Sequence, residues 1–199
     1  MKKLLLLLPL VILAACAENK ESMKKIIFLN HSTGYAVWLG NTNNYIYKIT
    51  RKGDVQKYVN KHSRKNKSAY LVTQRFFPSR EPYGWKNYPF DYYNIWVKNA
   101  GNKPYMEEST LEILTAEYDL IMFKHCFPVS NIQADTGNPD INSEVKSLEN
   151  YKLQYEALKN KMRQFPDNQF IVWTPAVNTR NLMSEDEAIR TKEFRDWIV

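Results

Sequence analysis

Ile26-Ile27-Phe28-Leu29-Asn30-His31-Ser32-Thr33-Gly34 is the stretch that decides the fold. Its first four residues read as a short buried strand, and the polar residues that follow read as the turn leaving it. In an open α/β sheet, the carboxyl end of such a strand lies at the rim where ligands bind. Ser32 then has two readings. Its hydroxyl stands on a turn whose backbone N–H groups, around Thr33 and Gly34, can face a developing oxyanion. Equally, Ser, Thr, Asn and Gly are ordinary strand-to-helix turn and N-cap residues.

The chain downstream repeats the strand-then-helix pattern. Ala69-Tyr70-Leu71-Val72-Thr73 reads as a second strand, and Leu120-Ile121-Met122-Phe123 as a strand covered on both faces. Phe170-Ile171-Val172-Trp173 reads as a fourth. Helical spacing is present over Asp54–Val59, ending in a basic run from Lys57 to Lys67, and over Glu107–Ala116. Asn142–Phe165 is the longest predicted helix, with an apolar stripe through Val145, Leu148, Tyr151, Leu153, Tyr155, Leu158, Met162 and Phe165. Ser184 with Glu187 forms a capping box for a last helix running through Trp197. Gly40–Asn44 reads as a turn, and Pro78–Pro104 as a long packed loop with a short helix. This order predicts one α/β domain over residues 25–199. It is a three-layer, flavodoxin-like parallel sheet with helices on both faces.

Composition narrows the function classes. A chain of 199 residues with 44% hydrophobic and 25% charged residues is long enough for a proper core and is not disordered. Aromatic residues crowd the Pro78–Pro104 loop, including Trp85, Tyr88, Tyr92, Tyr93 and Trp96. They read as rings packing the loop onto the sheet, or as a platform for sugars.

The first residues read as a targeting segment. Lys2-Lys3 is a basic n-region, Leu4–Leu13 an apolar h-region, and Ala14-Ala15 are small residues before Cys16. Leu13-Ala14-Ala15-Cys16 resembles the bacterial lipobox, which implies a signal peptide over 1–15, lipidation of Cys16 and a tether over 16–24. An ordinary secretory signal cut near Ala15 or Ala17 is the alternative. The lipobox implies a cell-envelope address with a membrane anchor, at the outer membrane if the source is Gram-negative, since Ala17 is not the retaining aspartate. Lipidation of Cys16 leaves Cys126 without a disulfide partner. Loss of Lys2 and Lys3 lowers the formal charge from +7 to +5. For an exported protein, this points to solvated basic faces near anionic lipid or glycan, and nucleic acid is not an expected partner.

Three strand ends are expected to meet at the carboxyl edge: His31-Ser32-Thr33-Gly34, Lys124-His125-Cys126-Phe127-Pro128-Val129-Ser130-Asn131, and Thr174-Pro175-Ala176-Val177-Asn178. With Phe170–Pro175 and Phe194-Arg195-Asp196-Trp197-Ile198, these blocks resemble a divergent exported branch of the SGNH/GDSL hydrolase superfamily. The Gly-Asp-Ser and Gly-x-Asn-Asp blocks of that family are both absent as written. The resemblance implies Ser32 as nucleophile. It also implies an oxyanion hole from the amides of the serine turn, with Gly84 as the middle glycine and Asn131 as the asparagine, and Cys126 as the alternative at that last place. The family's base comes from an Asp-x-x-His block after a fifth strand. No such block occurs here, and His125 is the last histidine. Either the sequence is C-terminally incomplete or the protein lacks the usual dyad. His125 is then the candidate base, with His31 expected to point away from Ser32 along an extended chain. No cofactor or metal is expected, because His31, His125 and Cys126 lack zinc spacing and no phosphate-binding glycine loop is present. The function expected is an ester hydrolase acting on an acylated glycan or lipid. The alternative is a non-catalytic lipoprotein that binds carbohydrate in the same cleft.

Overall fold

The computed structural model describes residues 23–126, 130–175 and 178–199, so the signal-peptide and Cys16 readings lie outside the described residues. Four parallel strands form one sheet in the order β2-β1-β3-β4: β1 (Lys24–Asn30), β2 (Tyr70–Phe76), β3 (Leu120–Lys124) and β4 (Gln169–Trp173). Ile27 pairs with Thr73 on one side and Ile121 on the other, which makes β1 a central strand. Its Ile27, Phe28, Leu29 and Asn30 are all buried, as a strand covered on both faces requires.

Seven helices are described: α1 (Thr33–Leu39), α2 (Asn44–Thr50), α3 (Asp54–Asn66), α4 (Pro89–Tyr93), α5 (Leu111–Glu117), α6 (Leu148–Met162) and α7 (Glu185–Ile198). On one face, Phe28 and Val72 pack with Trp38 of α1, against Val55 and Val59 of α3. On the other, Ile27, Leu29, Ile121 and Phe123 pack with Tyr92 of α4, Tyr151, Tyr155 and Leu158 of α6, and Phe194 of α7. The architecture is therefore α/β with an all-parallel sheet.

The Pro78–Pro104 segment is an ordered part of the core. Its α4 runs on into a π-helical turn, Asn94–Lys98, closed by Asn99 N donating to Asn94 O at 3.0 Å. Trp96 is fully buried there, 4.8 Å from Tyr92 edge-on and 5.1 Å from Phe123. Such ring pairs contribute roughly 0.5–1.5 kcal/mol each beyond their buried area. Phe77, Tyr88, Tyr92 and Trp96 are thus inside the protein, which favours the packing reading of these aromatics.

Two predicted helices start later than expected. The Glu107–Ala116 helix begins at Leu111, because Met106 and Glu107 take positive φ and Tyr105 bridges to Glu108. The Asn142–Phe165 helix begins at Leu148, where the Ser147 side chain accepts from Asn150 N and caps it. The predicted capping box at Ser184 and Glu187 is present at the start of α7. Among the described residues, no helix is long and apolar enough to cross a membrane.

Candidate active site

The strand order sets the place of the site. From β1 the chain moves outward to β2, then returns past β1 to β3. The carboxyl ends of β1 and β3 therefore flank the topological switch point, where open α/β sheets form their crevice. A cleft of about 500 Å³ opens there, lined by His31, Ser32, Arg80, Glu81, Gly84, Trp85, Lys86, Asn87 and Cys126.

Ser32 is exposed at the cleft and its backbone is unusual, with φ 44° and ψ −109°. A non-glycine residue with positive φ costs on the order of 1–3 kcal/mol and persists only where its surroundings enforce it. The chain holds two internal controls. Ser147 and Ser184 also precede helices, take extended backbones, and each accepts a hydrogen bond from a first-turn N–H. Ser32 makes no such cap bond. The sharp turn instead presents its hydroxyl outward, as a strained strand-to-helix elbow does.

The same turn explains His31. Positive φ at Ser32 breaks the extended alternation, so His31 lines the same cleft, which corrects the expectation that it points away. Its Nε2–H donates to Pro78 O at 2.5 Å and its ring stacks on Phe76 at 5.5 Å. Desolvation lowers its pKa, with the bond to Pro78 opposing this and the Lys124 charge adding to it. Gly34 N donates to His31 O at 2.9 Å and is already used, whereas the Thr33 N–H has no acceptor among the described residues. Gly34 is required for close approach: a Cβ there would stand 2.6 Å from Asn30 Cβ and 2.8 Å from Lys124 Cδ.

The opposite wall comes from the segment after β2, whose position was not foreseen. Asp91, buried at the start of α4, accepts from Lys86 N and Asn87 N, both at 2.6 Å. Burial raises this carboxyl to about 7, against the opposing pull of those N–H groups. Asn87 donates to Phe77 O at 2.6 Å, and its own carbonyl accepts from Cys126 N at 2.8 Å. This wall is therefore tied to the ends of both β2 and β3. Buried acceptor Asn87 Oδ1 and donor Trp85 Nε1 have no partner in it. Gly84 also lines the cleft, with φ 73°, but its N–H donates to Arg80 O at 2.5 Å and is not free for an oxyanion.

No family model, curated protein or solved structure matches the chain. The chemistry of the cleft rests on its own side chains.

Two of the expected site residues are not brought to Ser32. His125 belongs to the opposite face of the sheet, buried among Tyr92, Phe123 and Tyr155, with Nε2 3.1 Å from the Tyr155 hydroxyl. It lines a separate small cavity with Pro89, Ser130, Ile132, Tyr151, Pro175 and Phe194. Desolvation pushes its pKa down to about 3, with the Lys124 charge adding to the effect. The cause is strand alternation: residues 123 and 125 face one layer, and 124 and 126 the other. Asn131 Nδ2 donates to Leu182 O at 2.6 Å, and its Oδ1 accepts from Asn178 at 2.6 Å. Both ends of that amide are occupied away from the cleft. Cys126, which the flanking Phe123 and Phe127 in the sequence suggest is buried, is half-buried and lines the cleft. Among the described residues, no cluster of three His, Cys, Asp or Glu side chains is arranged to hold a metal.

Proposed function

We propose that this protein is a serine-dependent ester hydrolase, SGNH-like in architecture, that acts on an acyl group carried by a glycan or lipid. Ser32 is the nucleophile. The observation that carries this reading is the elbow at Ser32, where a strained backbone withholds the hydroxyl from capping and turns it to the switch-point cleft. The free Thr33 N–H is the backbone donor for the oxyanion, and unpartnered Asn87 Oδ1 and Trp85 Nε1 supply polar contacts to substrate. Anchoring through a lipidated Cys16 in the cell envelope belongs to the same proposal, on the strength of the lipobox-like Leu13–Cys16. The sugar-binding alternative has less support, because Tyr88, Tyr92, Tyr93 and Trp96 of that loop are buried in the core, leaving Trp85 at the cleft.

The test is hydrolysis of short-chain nitrophenyl esters by the full chain and by Ser32→Ala. The variant is expected to fall to background. Equal rates would remove Ser32 as the nucleophile.

A further inference from the structure

A serine nucleophile is weak without a base, and the cleft-lining histidine has its Nε2–H tethered to a carbonyl on the β2 side. On the β3 side stands a group that this chemistry has not yet used. Lys124 closes β3 with only 4% of its surface exposed. Its side chain runs across Gly34, two residues past Ser32. Its Nζ lies 3.4 Å from His31 O, the carbonyl of the peptide that leads into Ser32. That contact is longer than a normal N–H···O bond, so the amine is near the turn without being fixed to it. No described carboxylate pairs with it. A lysine buried without a counter-charge is rare in a structural role, because desolvation penalises its charged form.

Building on the Ser32 proposal, we infer that Lys124 is the general base of the site, making this a serine–lysine hydrolase in which neither His31 nor His125 takes the proton. The neutral amine accepts the Ser32 Oγ proton as Oγ bonds to the ester carbonyl carbon, and the carbonyl π pair moves onto oxygen. When that pair returns, the C–O bond to the alcohol breaks, and the departing alkoxide takes the proton from the Lys124 ammonium. Water then attacks the acyl-Ser32, losing its proton to the same amine, and Ser32 Oγ leaves and recovers that proton. Burial supports the assignment by lowering the lysine's pKa, while the Cys126 thiol nearby works in the opposite direction. The other titratable groups that feel its charge are His31, on the cleft side, and His125, the next residue, on the other face of the sheet. Arg80, Glu81 and Lys86 stand among the cleft residues, and α1 carries no charge.

The experiment is covalent labelling of the full chain by a fluorophosphonate, with the modified residue located by mass spectrometry and the rate followed against pH. Wild type should label at Ser32, faster as pH rises through one ionisation. Lys124→Arg, which keeps the charge, and Lys124→Met, which keeps the shape, should each slow labelling about 100-fold or more and flatten the profile. His31→Gln should keep the rise of labelling with pH, and loss of that rise would overturn the assignment. Labelling of Lys124→Arg at the wild-type rate and profile would overturn the base assignment and leave Ser32 standing. Failure of wild type to label at Ser32 at any pH would overturn both. Lysine 13Cε NMR on unsubstituted protein reads the same ionisation independently of how the variants fold. Lys124 should titrate together with the labelling rate, and a Lys124 still protonated where labelling is fast would overturn the assignment.

Discussion

Asp91 and His125 titrate against each other, and removing one should expose the other. Asp91 is 3% exposed, and burial raises its carboxyl from 3.8 to about 7. Between those values the native state holds a proton that the unfolded chain releases, so stability from this group falls as pH rises from about 4 to about 7. His125 behaves oppositely, since burial lowers it from 6.5 to about 3. The native ring stays neutral where the unfolded ring is protonated, so its contribution rises with pH across that window. Each pH unit inside a window changes stability by about 1.4 kcal/mol. From about pH 4 to about pH 6 the two contributions, about 3 kcal/mol each, oppose and nearly cancel. Asp91→Asn removes the falling member and keeps an oxygen for the Lys86 and Asn87 amides. Its unfolding free energy should therefore climb by about 3 kcal/mol more than that of wild type over the same interval. Urea unfolding followed by tryptophan fluorescence at stepped pH measures this directly. Parallel pH profiles for the two proteins would refute the buried, proton-holding carboxyl.

Gly34→Ala should cost about 1–3 kcal/mol, because its methyl collides with Asn30 and Lys124, and thermal melting measures it. An unchanged melting temperature would contradict the close approach at that turn. Ser184→Ala should lose about 1 kcal/mol, since the Ser184 hydroxyl accepts the Glu187 N–H at the start of α7, while the bond from the Ser184 backbone N–H to the Glu187 carboxylate survives. A loss below a few tenths in chemical denaturation would count against it. Ser32→Gly should unfold about 1 kcal/mol less readily, as relief of the positive φ outweighs the added chain entropy. A less stable variant would argue that the elbow carries no strain.

The sheet was legible because each strand is a short apolar run bounded by polar residues, as Leu120–Phe123 is between Asp119 and Lys124. The helices α1 and α2 were not. Each has seven residues, too few for periodicity, and α2 has no buried residue to reveal a face. In the predicted Asn142–Phe165 helix the stripe was drawn too wide, because Val145 lies before α6 and is exposed, and Leu153 within α6 is exposed too. Within the site, Ser32 stood out as a polar residue at a strand end, but a lysine in that place reads as solvated. Alternation along β3 was the signal that separates Lys124 from His125. The wall at Trp85–Asn87 carried no local signal, since hydrogen bonds from Asp91 and to Phe77 fix it.

His31 and Lys124 are 93 residues apart in sequence and meet only because β1 and β3 are neighbours. Everything from α1 to α5 must be laid down before that pairing closes, and contacts of such separation are among the slowest a chain makes. The proposed serine–lysine pair is therefore a property of the paired sheet and of no local segment. A chain halted with only β1 and β2 paired carries Ser32 without Lys124 near its turn, so on that proposal any hydrolytic power waits for β3.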